Sequence, residues 1–86
     1  MEKEEMEMPL FYLQISSVTH AYRGQRLLES RGIPAAVQRD SRFASARGCG
    51  YQIRVRNQDP GAVRSLLVQS GIRVLGIKDG DGNDIL

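Results

Sequence analysis

One side chain in the 86-residue sequence has the chemistry of a nucleophile or group carrier. It is Cys49, the only cysteine, set in the run Arg-Asp-Ser-Arg-Phe-Ala-Ser-Ala-Arg-Gly-Cys-Gly over 39–50. A cysteine reacts as its thiolate, so the surrounding charge decides whether it reacts at all. An unperturbed thiol with pKa near ~8.5 is only about 3% ionised at pH 7, whereas a shift to ~6.5 would leave roughly three-quarters as thiolate. Arg47 stands two residues before Cys49, and Arg42 and Arg39 precede it in the same run; their guanidinium groups supply a field of the required sign. Gly48 and Gly50 remove side chains on both flanks, which admits a bulky partner and frees backbone N–H groups to turn toward an anion. The opposing expectation is a small buried hydrophobe at the start of a strand, a common fate of free cysteine.

Other chemistry-bearing residues are less well companioned. His20 is the only histidine and, with one cysteine in the chain, no zinc spacing can be assembled; a surface histidine is expected. Asp79-x-Asp81-x-Asn83 copies the first half of a calcium loop, but Asp84 stands where that loop needs glycine and no distal glutamate follows. A solvated acidic tail is the expectation there. No metal, no cofactor, no phosphate-binding glycine loop and no serine triad are predicted.

The charge is unevenly spread. The net charge is +2, yet residues 1–8 and residues 79–86 each sum to −3, leaving +8 on the part between. Ten of the twelve basic residues are arginine, whose planar fork suits oxyanions better than a lysine point charge does. The acidic start is unlike a signal peptide. No apolar stretch approaches the ~20 residues that cross a bilayer, and an unpaired cysteine fits a reducing compartment. A cytoplasmic protein with no membrane association is therefore expected. The length allows one domain, read as an acidic flexible head over 1–9, a folded body over 10–78 and an acidic tail over 79–86. A core this small nets only ~3–5 kcal/mol, so a homodimer would be an unsurprising remedy.

The elements that must position these residues are legible from period and punctuation. In 10–15, Phe11, Leu13 and Ile15 alternate with polar neighbours, the mark of a strand with one buried face. Ser16, Ser17 and Thr19 offer N-cap hydroxyls to a helix whose apolar or small positions are Val18, Ala21, Gly24, Leu27 and Leu28, closed by Gly32. Residues 33–38 read as an edge strand, with Pro34 denying it one ladder bond. Residues 39–50 read as a long loop. Residues 51–56 alternate most cleanly, Tyr51, Ile53 and Val55 inward and Gln52, Arg54 and Arg56 out to water. Asp59 and Pro60 open a second helix that Gly71 stops, and 72–77 read as the last strand before 79–84 break regular structure. Both helix ends repeat a pattern, Leu-Leu-Glu-Ser-Arg-Gly-Ile at 27–33 and Leu-Leu-Val-Gln-Ser-Gly-Ile at 66–72. The expected fold is α+β, a ferredoxin-like split βαββαβ. Two helices would cover one face of a four-stranded antiparallel sheet, with the first and third strands central.

The uncovered face would carry Tyr12, Gln14, Gln52, Arg54 and Arg56. One aromatic beside two arginines resembles a single-strand nucleic-acid platform, but such platforms stack successive bases on several aromatics. Nucleic acid is therefore the weaker expectation for this face. A second copy of the sheet covering it is an equal alternative.

The Cys49-Gly50 pair heading a strand, the hydroxyl-capped segment 17–33 ending in Gly-Ile, and the Gly71-Ile72 turn together resemble the selenium/sulfur carrier-like family over about residues 10–78. Members of that family carry Ser-Ser-Cys-Gly after a strand exit containing Pro-Arg. Here Ala46, Arg47 and Gly48 precede the cysteine and no proline stands at the exit after Val37, so Cys49, Gly50 and Arg39 are what carries over. The resemblance implies a carrier rather than a turnover enzyme. Cys49 would hold sulfur or selenium as a persulfide or selenopersulfide, with donor and acceptor proteins as partners. The competing expectation is a regulatory module, similar in outline to ACT domains, binding a small anionic metabolite through Arg39, Arg42 and the glycines, or an oligomeric interaction domain.

Overall fold

The computed structural model describes residues 10–39 and 50–85. In chain order the elements are β1 (Leu10–Ile15), α1 (Val18–Ser30), β2 (Ala35–Arg39), β3 (Tyr51–Arg56), α2 (Pro60–Gln69) and β4 (Val74–Asp79). The four strands form one antiparallel sheet in the order β2-β3-β1-β4. Each helical crossover therefore skips a strand, and β1 and β3 lie at the centre, as the sequence predicts.

Side chains alternate between the two faces of a strand, and the helices take up one of those faces. Phe11, Leu13 and Ile15 of β1, Ile53 and Val55 of β3 and Ile77 of β4 form a single buried cluster with Ala21 and Leu28 of α1 and Val63 and Leu67 of α2. Burying a leucine- or phenylalanine-sized side chain stabilises by about 1.5–3 kcal/mol, so this cluster is the main source of stability. Gly24 lets α1 approach the sheet closely: a Cβ built there would lie 2.8 Å from Ile53 Cδ1. Val18, expected on the buried stripe of α1, is exposed instead.

Each helix starts on a side-chain cap. Ser17 Oγ accepts from the backbone N–H of His20 at 3.2 Å, and Asp59 Oδ2 accepts from that of Ala62 at 3.0 Å. Each helix also ends in the same way. Gly32 adopts φ 78 and Gly71 φ 82, the left-handed conformation that glycine reaches without strain. The N–H of Ile33 donates to Leu28 O at 2.9 Å and that of Ile72 to Leu67 O at 3.0 Å, while each glycine N–H donates to the carbonyl one residue further on. This is a Schellman closure. The isoleucines are thus used to close helices, and the strands expected at 33–38 and 72–77 begin two residues later, at Ala35 and Val74.

Residues beyond β4 also depart from the sequence reading. The chain turns at Gly80 to Gly82, and the N–H of Ile85 donates to Ile77 O at 2.8 Å, so the acidic end folds back along the β4 edge. The turn is held by Asp79 Oδ1, which accepts from the N–H groups of Asp81 and Asn83, each at 2.9 Å. A side-chain acceptor of this kind replaces a backbone turn bond.

Candidate functional site

The mouth of the β2–β3 hairpin and the outer sheet face hold the candidate residues. Arg39 ends β2, and Tyr51 opens β3 directly opposite it. The Arg39 guanidinium carbon stands 5.9 Å from the centroid of the Tyr51 ring, inside cation–π range. This places one exposed cation at the mouth. Gly50, the residue before β3, is buried with φ 66, a conformation that excludes most side chains. Arg39 and Gly50 are thereby brought to the same end of the hairpin. Cys49, Arg47, Arg42 and Gly48 lie outside the described residues.

The outer face is ordered by strand register. One row runs Gln38, Gln52, Gln14, Gly76 across β2, β3, β1 and β4, and the next runs Ala36, Arg54, Tyr12, Lys78. Tyr12, Gln52, Arg54 and Arg56, all predicted for this face, are therefore neighbours on it, with Tyr12 set between Arg54 and Lys78. Lys78 is engaged by Asp84, Nζ to Oδ1 at 2.6 Å.

The centre of this face is not open to water as the alternation of β3 implies. Gln14 is 5% exposed and Gln52 9% exposed. Part of the cause is Gly76, which has no side chain where the Gln14 amide lies: a Cβ there would be 3.1 Å from Gln14 Oε1. Gln14 Nε2 is buried with no hydrogen-bond partner. Leaving such a donor unsatisfied costs about 1–3 kcal/mol, and an approaching acceptor would relieve that cost.

His20 Nδ1 is buried without a partner beside the cap of α1, and among the described residues no cluster of three or more His, Cys, Asp or Glu could hold a metal. The Asp79 carboxyl is held below its ordinary range, first by the backbone hydrogen bond from Asn83, against an opposing effect of desolvation and with further help from hydrogen bonds of Asp81, the Asn83 side chain and Gly82. Asp79 thereby organises the turn at the end of β4, where the sequence reading expects a solvated tail. Among the described residues no helix is long and apolar enough to cross a membrane.

Sequence reasoning missed Gln38 and Lys78 as members of the outer rows, and it missed Asn57 and Gln58 where β3 exits. The rows depend on register, which one strand alone does not reveal. Asn57, with φ 67, is the one residue whose type gave a signal, since asparagine tolerates the left-handed region. Comparison with known proteins gives no match to any family model, curated protein or solved structure.

Proposed function

We propose that this domain is a sulfur or selenium carrier in which Cys49 bears the transferred atom. The observation that carries the reading is the hairpin mouth, where a buried left-handed glycine follows the cysteine directly and an arginine is held across the strand pair from Tyr51. Cys49 precedes Tyr51 by two residues in the sequence, and the Arg39 cation lies over the Tyr51 ring. Crossovers that each skip a strand support reading the fold as ferredoxin-like, and the resemblance of the Cys-Gly segment to carrier-like proteins supports the same role.

Transfer would be a displacement at sulfur. The Cys49 thiolate attacks the outer sulfur of a donor persulfide; the new S–S bond forms on Cys49 as the donor's S–S bond breaks, and the electron pair leaves with the donor thiolate. The proton stays on the transferred sulfur, and no external oxidant or reductant is required. A selenopersulfide would form in the same way. Donor and acceptor would be other proteins, in a reducing compartment such as the cytoplasm.

The test is to load the protein with a small-molecule persulfide and read the intact mass. One added sulfur atom that is lost in Cys49→Ser supports the carrier; equal loading of Cys49→Ser removes it. A second reading, a non-enzymatic binding or homodimerising module like ACT domains in outline, is favoured by the unpartnered Gln14 amide on the outer face. Its mark would be self-association, or stabilisation by an amino acid, that survives Cys49→Ala.

A further inference from the structure

We propose that the cleft between the start of β2 and the exit of β3 binds a small organic phosphate. The cleft is open on one side, has a volume of about 550 Å³, and is lined by Arg54, Arg56, Asn57 and Gln58 on one wall and by Gly32 and the segment Pro34 to Ala36 on the other. That volume lies within the range of small-molecule sites. It is separated from the Arg39–Tyr51 mouth by the length of β2, so it is independent of the carrier reading.

Three features select the ligand class. First, the lining holds two arginines and no carboxylate. Neither arginine has an ion-pair partner among the described residues. Second, Arg54 and Arg56 are alternate residues of β3, so they share the outer face with Cα atoms about 7 Å apart. Two forks at that spacing can divide the terminal oxygens of one phosphate group, an arrangement for which arginine geometry is well suited. Third, the floor is small and partly apolar. Ala36 faces Arg54 across the strand pair, and a bulkier residue there would fill the space. The uncharged body of the ligand would lie on Pro34 and Ala36, since the Ala35 side chain packs against the core.

The site is also built before any ligand arrives. Gln25 Nε2 of α1 donates to Ala35 O at 3.0 Å, which fixes the floor strand against the helix. Asn57 holds a left-handed backbone at the rim, a turn conformation that asparagine tolerates.

Isothermal titration of the full chain with AMP, a hexose phosphate, adenosine and inorganic phosphate tests the assignment. Expected is one-to-one binding of at least one of the two esters, more tightly than inorganic phosphate, with none of adenosine. Arg54→Gln with Arg56→Gln should weaken it by at least about tenfold, as loss of charge-assisted bonds requires. Ala36→Leu should block it sterically, and Cys49→Ala should leave it unchanged. Unfolding midpoints of the ligand-free variants confirm that each folds. The proposal is overturned by absence of binding to both esters, by ester binding indifferent to these substitutions, or by inorganic phosphate binding as tightly as the esters.

Discussion

Replacing Gly24 by alanine sets a backbone gain against a packing loss, and the structure says which prevails. In a helix interior alanine is favoured over glycine by about 1 kcal/mol. The new Cβ, however, would lie 2.8 Å from Ile53 Cδ1, 3.3 Å from Leu67 Cδ2 and 3.7 Å from Ile72 Cδ1. Carbon atoms rest about 3.5–4.0 Å apart, so Ile53 must withdraw by about 0.7 Å or more. Ile53 and Leu67 are fully buried, and forcing extra volume into such a core costs about 1–3 kcal/mol. The terminal methyl of Ile53 can swing, but Leu67 Cδ2 crowds the same Cβ, which places the cost near the middle of that range, about 2 kcal/mol. Gly24→Ala should therefore be destabilised by about 1 kcal/mol, a fall in Tm of about 4–8 °C for a domain of this size. Ile53→Val removes the clashing methyl, so Gly24→Ala in that background should be neutral or stabilising. Urea denaturation of the four proteins in this cycle measures the coupling, expected at about 1 kcal/mol or more. The close-approach argument is refuted if Gly24→Ala stabilises the unaltered protein, or if the two substitutions simply add.

Two further outcomes follow from the polar groups. Gln14→Leu exchanges a buried, unpartnered amide for an apolar side chain of similar volume, and urea denaturation should find it unchanged or up to about 2 kcal/mol more stable; a loss above about 1 kcal/mol would mean that the amide is satisfied in the folded protein. Asp79 has a depressed folded-state pKa, so its ionised form adds stability above the ordinary carboxylate range, and that stability is lost as pH falls through the folded value. The advantage of the native protein over Asp79→Asn should be constant near neutrality and shrink below about pH 4, with an Asp79 carboxyl midpoint by NMR below the ordinary 3.8; a midpoint above that value would contradict the turn geometry.

The parts of this fold that are local in sequence are legible in it. Phe11, Leu13 and Ile15 declare a half-buried strand by alternation alone, and Asp59-Pro60 marks a helix start by cap chemistry. The repeated Leu-Leu to Gly-Ile segments mark both helix ends. Their isoleucines misplace the following strands because an apolar residue after glycine serves equally to enter a strand or to complete a Schellman closure, and the hydrogen bonds to Leu28 O and Leu67 O favour the second. What depends on pairing is not legible. Gln38, Gln52 and Gln14 become a row only when three strands adopt one register, and alternation assigns Gln52 and Gln14 to water although both are buried. The cleft is non-local in the same sense, since its walls come from the start of β2 and the exit of β3. Of the predicted sulfur site, Arg39 and Gly50 are placed together at the hairpin mouth, whereas Cys49 lies beyond the described residues.

The carrier account depends on sulfur held as an anion at neutral pH, and the pH dependence of iodoacetamide alkylation at Cys49 measures that state directly. The account predicts a thiol pKa well below the ~8.5 of an unperturbed cysteine, rising toward it when Arg47 and Arg39 are replaced by glutamine. A midpoint at or above the unperturbed value, or alkylation absent until the protein unfolds, would contradict it.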